Sequence, residues 1–157
     1  MEDTVYEVGM SEYKIAESPI ILISSGIGSC LTIALYDRTK KIGGMAHAML
    51  PEEHPNEKDD EDSPARYVDK AIKTLVSEME SLGCNRKNFV AKIAGGANMF
   101  AGLGEYSKEI GVKNVFEAKK ILAEMNIEIV AENTGGTSGR HVEFDVSNGL
   151  LSIISKI

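Results

Sequence analysis

Apolar positions along this chain fall into short runs of two kinds, and their spacing predicts the elements. Ile20-Ile21-Leu22-Ile23 is a continuous apolar run, β-branched at three of four positions, which predicts a buried strand leading into Ser24-Ser25-Gly26. Leu31–Tyr36 and Lys41–Leu50 are two further β-like runs, joined by the polar stretch Asp37-Arg38-Thr39-Lys40. The period then changes. Val68, Ile72, Leu75, Val76 and Met79 recur at helical spacing. Ser63-Pro64 supply an N-cap and a first-turn proline for this helix, and Gly83 stands where it ends. Asn88–Ala94 predicts a strand running into Gly95-Gly96. A second helix is expected from Asn114 to about Met125, with Val115, Ala118, Ile121, Leu122 and Met125 on one face. Ile127–Ala131 predicts a strand and Asn133–Arg140 a glycine-rich loop. His141–Val146 and Leu150–Ile157 form a hairpin whose Asn148-Gly149 is the strongest turn signal in the chain.

Strands outnumber helices, and two amphipathic helices must cover a sheet. The pattern predicts an α/β sandwich with a mixed or antiparallel sheet and two main amphipathic helices. At 157 residues, with no internal repeat and no linker composition, the chain reads as a single domain over residues 1–157.

Composition narrows the function. Apolar residues make up 43% and charged residues 26%, as in ordinary soluble domains. The net charge of −7 argues against a nucleic-acid binder, which needs clustered Lys and Arg. Much of the acidity lies between Glu52 and Asp62, a polar stretch read as a solvated surface loop or as a flap beside the His47 strand. No apolar stretch approaches the ~20 residues that span a bilayer, and Met1-Glu2-Asp3-Thr4 does not open a signal peptide. A cytoplasmic protein with free thiols at Cys30 and Cys84 is expected. The histidines at 47, 54 and 141 are scattered and no CxxC is present, so neither a metal nor another cofactor is expected. Gly95-Gly96 and Gly135-Gly136 lack phosphate-cradle spacing and read as pocket-shaping turns. His141 reads as structural, His54 as solvated, and Cys84 has no visible partner.

The chemistry concentrates at Ser24-Ser25-Gly26-Ile27-Gly28-Ser29-Cys30 and at His47 in Gly43-Gly44-Met45-Ala46-His47-Ala48-Met49-Leu50-Pro51. If Arg38-Thr39 form a two-residue turn, residue 37 pairs with residue 40 and Cys30 falls opposite His47 on one sheet face. A slip at Gly43-Gly44 would send His47 to the other face. A thiol beside an imidazole is the minimal activated nucleophile. The bland alternative is a buried cysteine acting as a small hydrophobe. Against it stand the glycines before Cys30, which free backbone amides and permit close approach.

With these residues the chain resembles the CheD family of chemoreceptor glutamine deamidases. Lys92-Ile93-Ala94-Gly95-Gly96-Ala97-Asn98-Met99-Phe100 and Glu132-Asn133-Thr134-Gly135-Gly136 followed by Arg140 fall in the order of the family's other blocks, so the likeness covers essentially the whole chain. The resemblance implies hydrolysis of glutamine side-chain amides on chemoreceptors to glutamate and ammonia. It implies a catalytic Cys30 and His47 with a hydroxyl residue at Ser24, where the family normally has Thr, and neighbouring Ser25 is an alternative for that third group. Gly28 and Ser29 are candidates for an oxyanion site. The implied partners are chemoreceptors as substrate and the CheC phosphatase, with no cofactor. Two other readings stay open: a binding module that engages CheC or receptors without catalysis, and methylesterase activity through the same acyl-enzyme.

Overall fold

Strand β4 is buried along its entire length, and the other elements are layered on its two faces. The computed structural model describes residues 4–52, 63–98 and 105–156. In chain order the elements are β1 (Thr4–Glu7), β2 (Tyr13–Glu17), β3 (Ile20–Ile27), β4 (Leu31–Asp37), β5 (Ile42–Ala48), α1 (Val68–Ser81), β6 (Phe89–Gly95), α2 (Glu105–Glu124), β7 (Glu128–Thr134), β8 (Gly139–Asp145) and β9 (Leu150–Lys156). Short 3-10 turns lie at Pro64–Arg66 and Arg86–Asn88.

The strands form two mixed sheets, ordered β1-β3-β8-β9 and β2-β5-β4-β6-β7. Only β1/β3 and β6/β7 run parallel; the other pairs are antiparallel. Both helices pack on one face of the five-stranded sheet. There Leu31, Ile33, Leu35, Ala46 and Ala48 meet Ile72, Leu75, Met79 and Leu122. On the opposite face Cys30, Ala34, Tyr36, Met45 and Ala94 meet Leu22, Ile27, Val142 and Phe144 of the other sheet. A strand covered on both sides cannot alternate apolar and polar, which is why Leu31–Tyr36 reads as a nearly continuous apolar run. The expected α/β sandwich is the fold, with two sheets where one was read.

Several boundaries differ from expectation. Ser63-Pro64 open the 3-10 turn, Ser63 makes no side-chain cap, and α1 begins only at Val68, after a bridge between Leu50 and Tyr67. Helix α2 starts at Glu105, well before Asn114. The glycine-rich stretch after Asn133 is shorter than expected, because β7 runs to Thr134 and β8 starts at Gly139. Strands β1 and β2 are elements that the apolar pattern does not predict. The flap and His54 lie outside the described residues.

The β4–β5 register also departs from expectation. Thr32, not Cys30, stands opposite His47, and Asp37 pairs with Ile42 across a four-residue connection. The buried Asp37 carboxylate organises that connection. It accepts from the amides of Thr39 (2.9 Å), Lys40 (3.0 Å) and, across the fold, Asn85 (3.1 Å). Lys41 then takes a left-handed φ of 53° and donates its amide to the Asp37 carbonyl at 3.0 Å. A displacement of two residues preserves the face, so His47 still points between the sheets. Gly43-Gly44 make no bulge: a Cβ at Gly43 would meet the Phe144 ring at 2.8 Å, and one at Gly44 would meet Ile15 at 2.7 Å and Leu75 at 2.9 Å. The pair lets both cores close on β5.

Candidate active site

Three strands bring the chemistry together between the sheets. Cys30 ends the β3–β4 connection and packs in the inter-sheet core at 8% exposure; His47, on β5, is 2% exposed, and Ser24, on β3, is fully buried. Cys30 lies two positions before Thr32, the cross-strand partner of His47, one residue beyond the paired ladder and on the same inter-sheet face as the imidazole.

The N-terminal segment closes the site. The connection between β1 and β2 crosses from one sheet to the other over His47. The His47 amide donates to the Glu12 carbonyl at 3.0 Å, and the Ser11 amide to the His47 carbonyl at 2.8 Å. This wall also sets the state of the ring. Ser24 Oγ donates to the Val8 carbonyl at 2.7 Å and lies 2.9 Å from His47 Nδ1. A hydroxyl has one proton, and here the carbonyl takes it. Ser24 Oγ therefore accepts from Nδ1–H, and the basic lone pair is at Nε2. Among the described residues that atom is buried without a partner, as is Thr32 Oγ1 opposite it.

Electrostatics define the resting charges. Burial pushes the Cys30 thiol above its ordinary 9.0, opposed by its own backbone amide. Burial likewise pulls His47 below its ordinary 6.5, opposed by a hydrogen bond to the Val8 backbone. Both directions favour a neutral thiol and a neutral imidazole over a thiolate–imidazolium pair. A neutral imidazole nitrogen near a neutral thiol is the arrangement that general-base activation of a nucleophile requires.

The loop before Cys30 is held from one side. The Gly28 carbonyl accepts from the Ala97 amide at 2.9 Å and the Cys30 carbonyl from the Gly96 amide at 2.8 Å. The Ser29 carbonyl accepts from Asn114 Nδ2 at 2.8 Å. Gly95, at φ 122°, sits where a Cβ would collide with the Cys30 carbonyl oxygen, which explains this glycine.

The remaining sequence candidates separate from the pair. Ser25 faces the other side of β3, 2.7 Å from His141 Nδ1, whose Nε2 is 2.9 Å from Glu143; it does not meet His47. Cys84 does have a partner. Its thiol hydrogen-bonds Asp37 and is pushed up to about 11 by burial and by that carboxylate. Among the described residues no group of three or more His, Cys, Asp or Glu is placed to hold a metal. Two site residues escaped sequence reading. Val8 contributes only a carbonyl, which sequence does not show. Asn114 had a readable signal, being a polar residue in line with the apolar stripe Ala118, Ile121, Leu122 and Met125.

Comparison with known proteins gives this geometry a context. The model of the family described as CheD chemotactic sensory transduction matches residues 49–155. The chain is 41% identical over 154 residues to the chemoreceptor glutamine deamidase CheD of Halalkalibacterium halodurans, covering 98% of this chain and 94% of that protein. It is 38% identical over 146 residues to the protein of the same name from Thermotoga maritima, covering 93% and 88%. A probable deamidase CheD from Desulforamulus reducens is 41% identical over 148 residues, covering 94% and 88%. Among solved structures, the Bacillus licheniformis hypothetical protein YfiH superposes with a TM-score of 0.50 at 12% identity, covering 78% of this chain and 49% of that one, which is a likeness of fold. Family model and near full-length relatives agree: the chain belongs to the CheD family.

Proposed function

We propose that the protein deamidates selected glutamine side chains on chemoreceptors, acting as a single domain through Cys30, His47 and Ser24. The relatives that carry the deamidase name support the reaction class. The observation that supports the residue assignment is the placement of His47: Nδ1 lies 2.9 Å from Ser24 Oγ, and Nε2 has no partner among the described residues, on the face that Cys30 shares.

The steps follow from these groups. Nε2 takes the Cys30 proton while the sulfur bonds to the glutamine Cδ, and the carbonyl oxygen becomes an oxyanion. Backbone amides at Ser29 and Cys30 serve as its donors. The loop carbonyls are engaged by Ala97 and Asn114, and a trans peptide points its N–H opposite to its C=O. Gly28 supplies the carbonyl through which Ala97 holds the first of these peptides. The imidazolium then protonates the nitrogen, which leaves as ammonia, and a thioester remains. Nε2 next takes a proton from water, the hydroxide attacks Cδ, and the sulfur leaves and recovers its proton, giving glutamate. A glutamyl methyl ester would form the same thioester, releasing methanol.

No helix among the described residues is long and apolar enough to cross a membrane; we assign the protein to the cytoplasm, with CheC as a further partner. The test is ammonia release and the glutamine-to-glutamate mass change on a cognate receptor. Wild type is expected to convert specific glutamines and Cys30→Ala none. Binding of receptor or CheC with no conversion by wild type would replace the enzyme with a binding module.

A further inference from the structure

We propose that Asn114 is a positioning residue for this reaction, holding the peptide between Ser29 and Cys30 so that its N–H faces the oxyanion. The inference rests on the deamidase reading above. Asn114 is fully buried on α2, and its amide nitrogen spends its donors on two carbonyls, Ser29 at 2.8 Å and Met49 at 3.0 Å. Ser29 immediately precedes the nucleophile, and Met49 follows His47 by two residues. One side chain thus ties the strand end bearing the thiol to the strand end bearing the base.

Three consecutive carbonyls of this loop are each held by a neighbouring segment. Those of Gly28 and Cys30 are held by the backbone amides of Ala97 and Gly96. Among the described residues the middle one is held by a side chain alone. That middle peptide carries the Cys30 N–H, which also lies against the Cys30 sulfur. A donor on this peptide has the right place for an oxyanion built on an atom bonded to that sulfur. Without Asn114 the peptide is free to rotate its N–H out of line while the peptides on either side stay fixed.

The approach of α2 that makes this bond possible is itself specified. A Cβ at Gly111 would stand 2.6 Å from the Gly96 oxygen and 2.9 Å from the Ala97 oxygen. Gly111 lies one helical turn before Asn114, so its lack of a side chain lets the helix seat against the connector that also pins Gly28 and Cys30. Among the described residues the remaining Asn114 Oδ1 is buried without a partner, so the side chain is held by its donors.

The test compares Asn114→Ala and Asn114→Gln with wild type in receptor deamidation and in iodoacetamide alkylation of Cys30. Alkylation displaces iodide at a methylene carbon and builds no oxyanion, so it reports thiol access and ionisation alone. Both variants are expected to lose about tenfold or more in kcat, up to the ~10²–10³-fold that removing one oxyanion donor outright costs, with KM and the pH profile of alkylation unchanged. Asn114→Gln keeps the amide but displaces it by a methylene, so it also serves if the alanine variant folds poorly. A kcat within twofold of wild type in a folded variant, a loss confined to KM, or alkylation slowed by the same factor as deamidation would each overturn the assignment. Failure of wild type to deamidate would instead overturn the reading beneath it.

Discussion

Replacing Ser24 by Ala removes one oxygen from the interior and separates two consequences. Ser24 Oγ donates to the Val8 carbonyl at 2.7 Å and accepts from His47 Nδ1 at 2.9 Å, with no exposure to water. A buried hydrogen bond contributes about 1 kcal/mol net, so losing two costs ~2 kcal/mol of stability. The catalytic effect is distinct. The bond to Nδ1–H selects the tautomer with a free Nε2, and a bias of about 1.4 kcal/mol is a tenfold change in population. Deamidation should therefore slow by about tenfold at saturating receptor. Ser24→Thr, which keeps the oxygen, should retain most of the rate, and Ser25→Ala should match wild type because Ser25 meets His141. The assay is the initial rate of ammonia release beside a urea melt. If Ser24→Ala turned over at the wild-type rate, or Ser25→Ala showed the tenfold loss, the tautomer argument would fail.

Four further outcomes follow from the same structure. Because burial lowers the His47 pKa, the imidazole stays neutral as pH falls through 6.5, and the acid limb of kcat/KM should lie below that value; a limb above 6.5 refutes the neutral resting pair. Burial raises the Cys30 thiol, so its alkylation rate should keep rising beyond pH 9.0, and fast alkylation at pH 6 would contradict the same assignment. At Asp37 burial alone would raise the pKa, but the amides of Lys40, Asn85 and Thr39 and the Cys84 thiol together hold it below 3.8. Its stabilisation is present above 3.8 and is lost as pH falls through the lower folded value. Asp37→Ala should cost ~2–4 kcal/mol at neutral pH by leaving three amides without their acceptor, and an unchanged urea midpoint would refute that. Gly95→Ala should destabilise the fold, since its Cβ meets the Cys30 carbonyl at a φ of 122°; wild-type melting and activity would contradict the close approach.

What the sequence made legible depended on how local the cause was. The stripe Val68, Ile72, Leu75, Val76 and Met79 repeats within one helix, and Asn148-Gly149 sits within one turn, so both elements were readable. The β4–β5 register was not, because the turn is set by Asp37 reaching Asn85, far along the chain. Strands β1 and β2 are four and five residues long, and β1 is exposed throughout, so neither makes an apolar run. The start of α2 was hidden by Gly111, a helix-weakening residue whose reason is contact with Gly96. At the site, Cys30 and His47 stood out by residue type. The Val8 carbonyl and the Ser24–His47 bond exist only once two sheets are stacked.

The account turns on a covalent bond between Cys30 and the receptor. The measurement that tests it most directly is peptide mapping of enzyme and receptor quenched in acid during turnover. The account predicts a receptor peptide joined to the Cys30 peptide through a glutamine that has lost ammonia, cleaved by hydroxylamine and absent in Cys30→Ala. Glutamate formed by Cys30→Ala at the wild-type rate, with no such linkage in either protein, would contradict it.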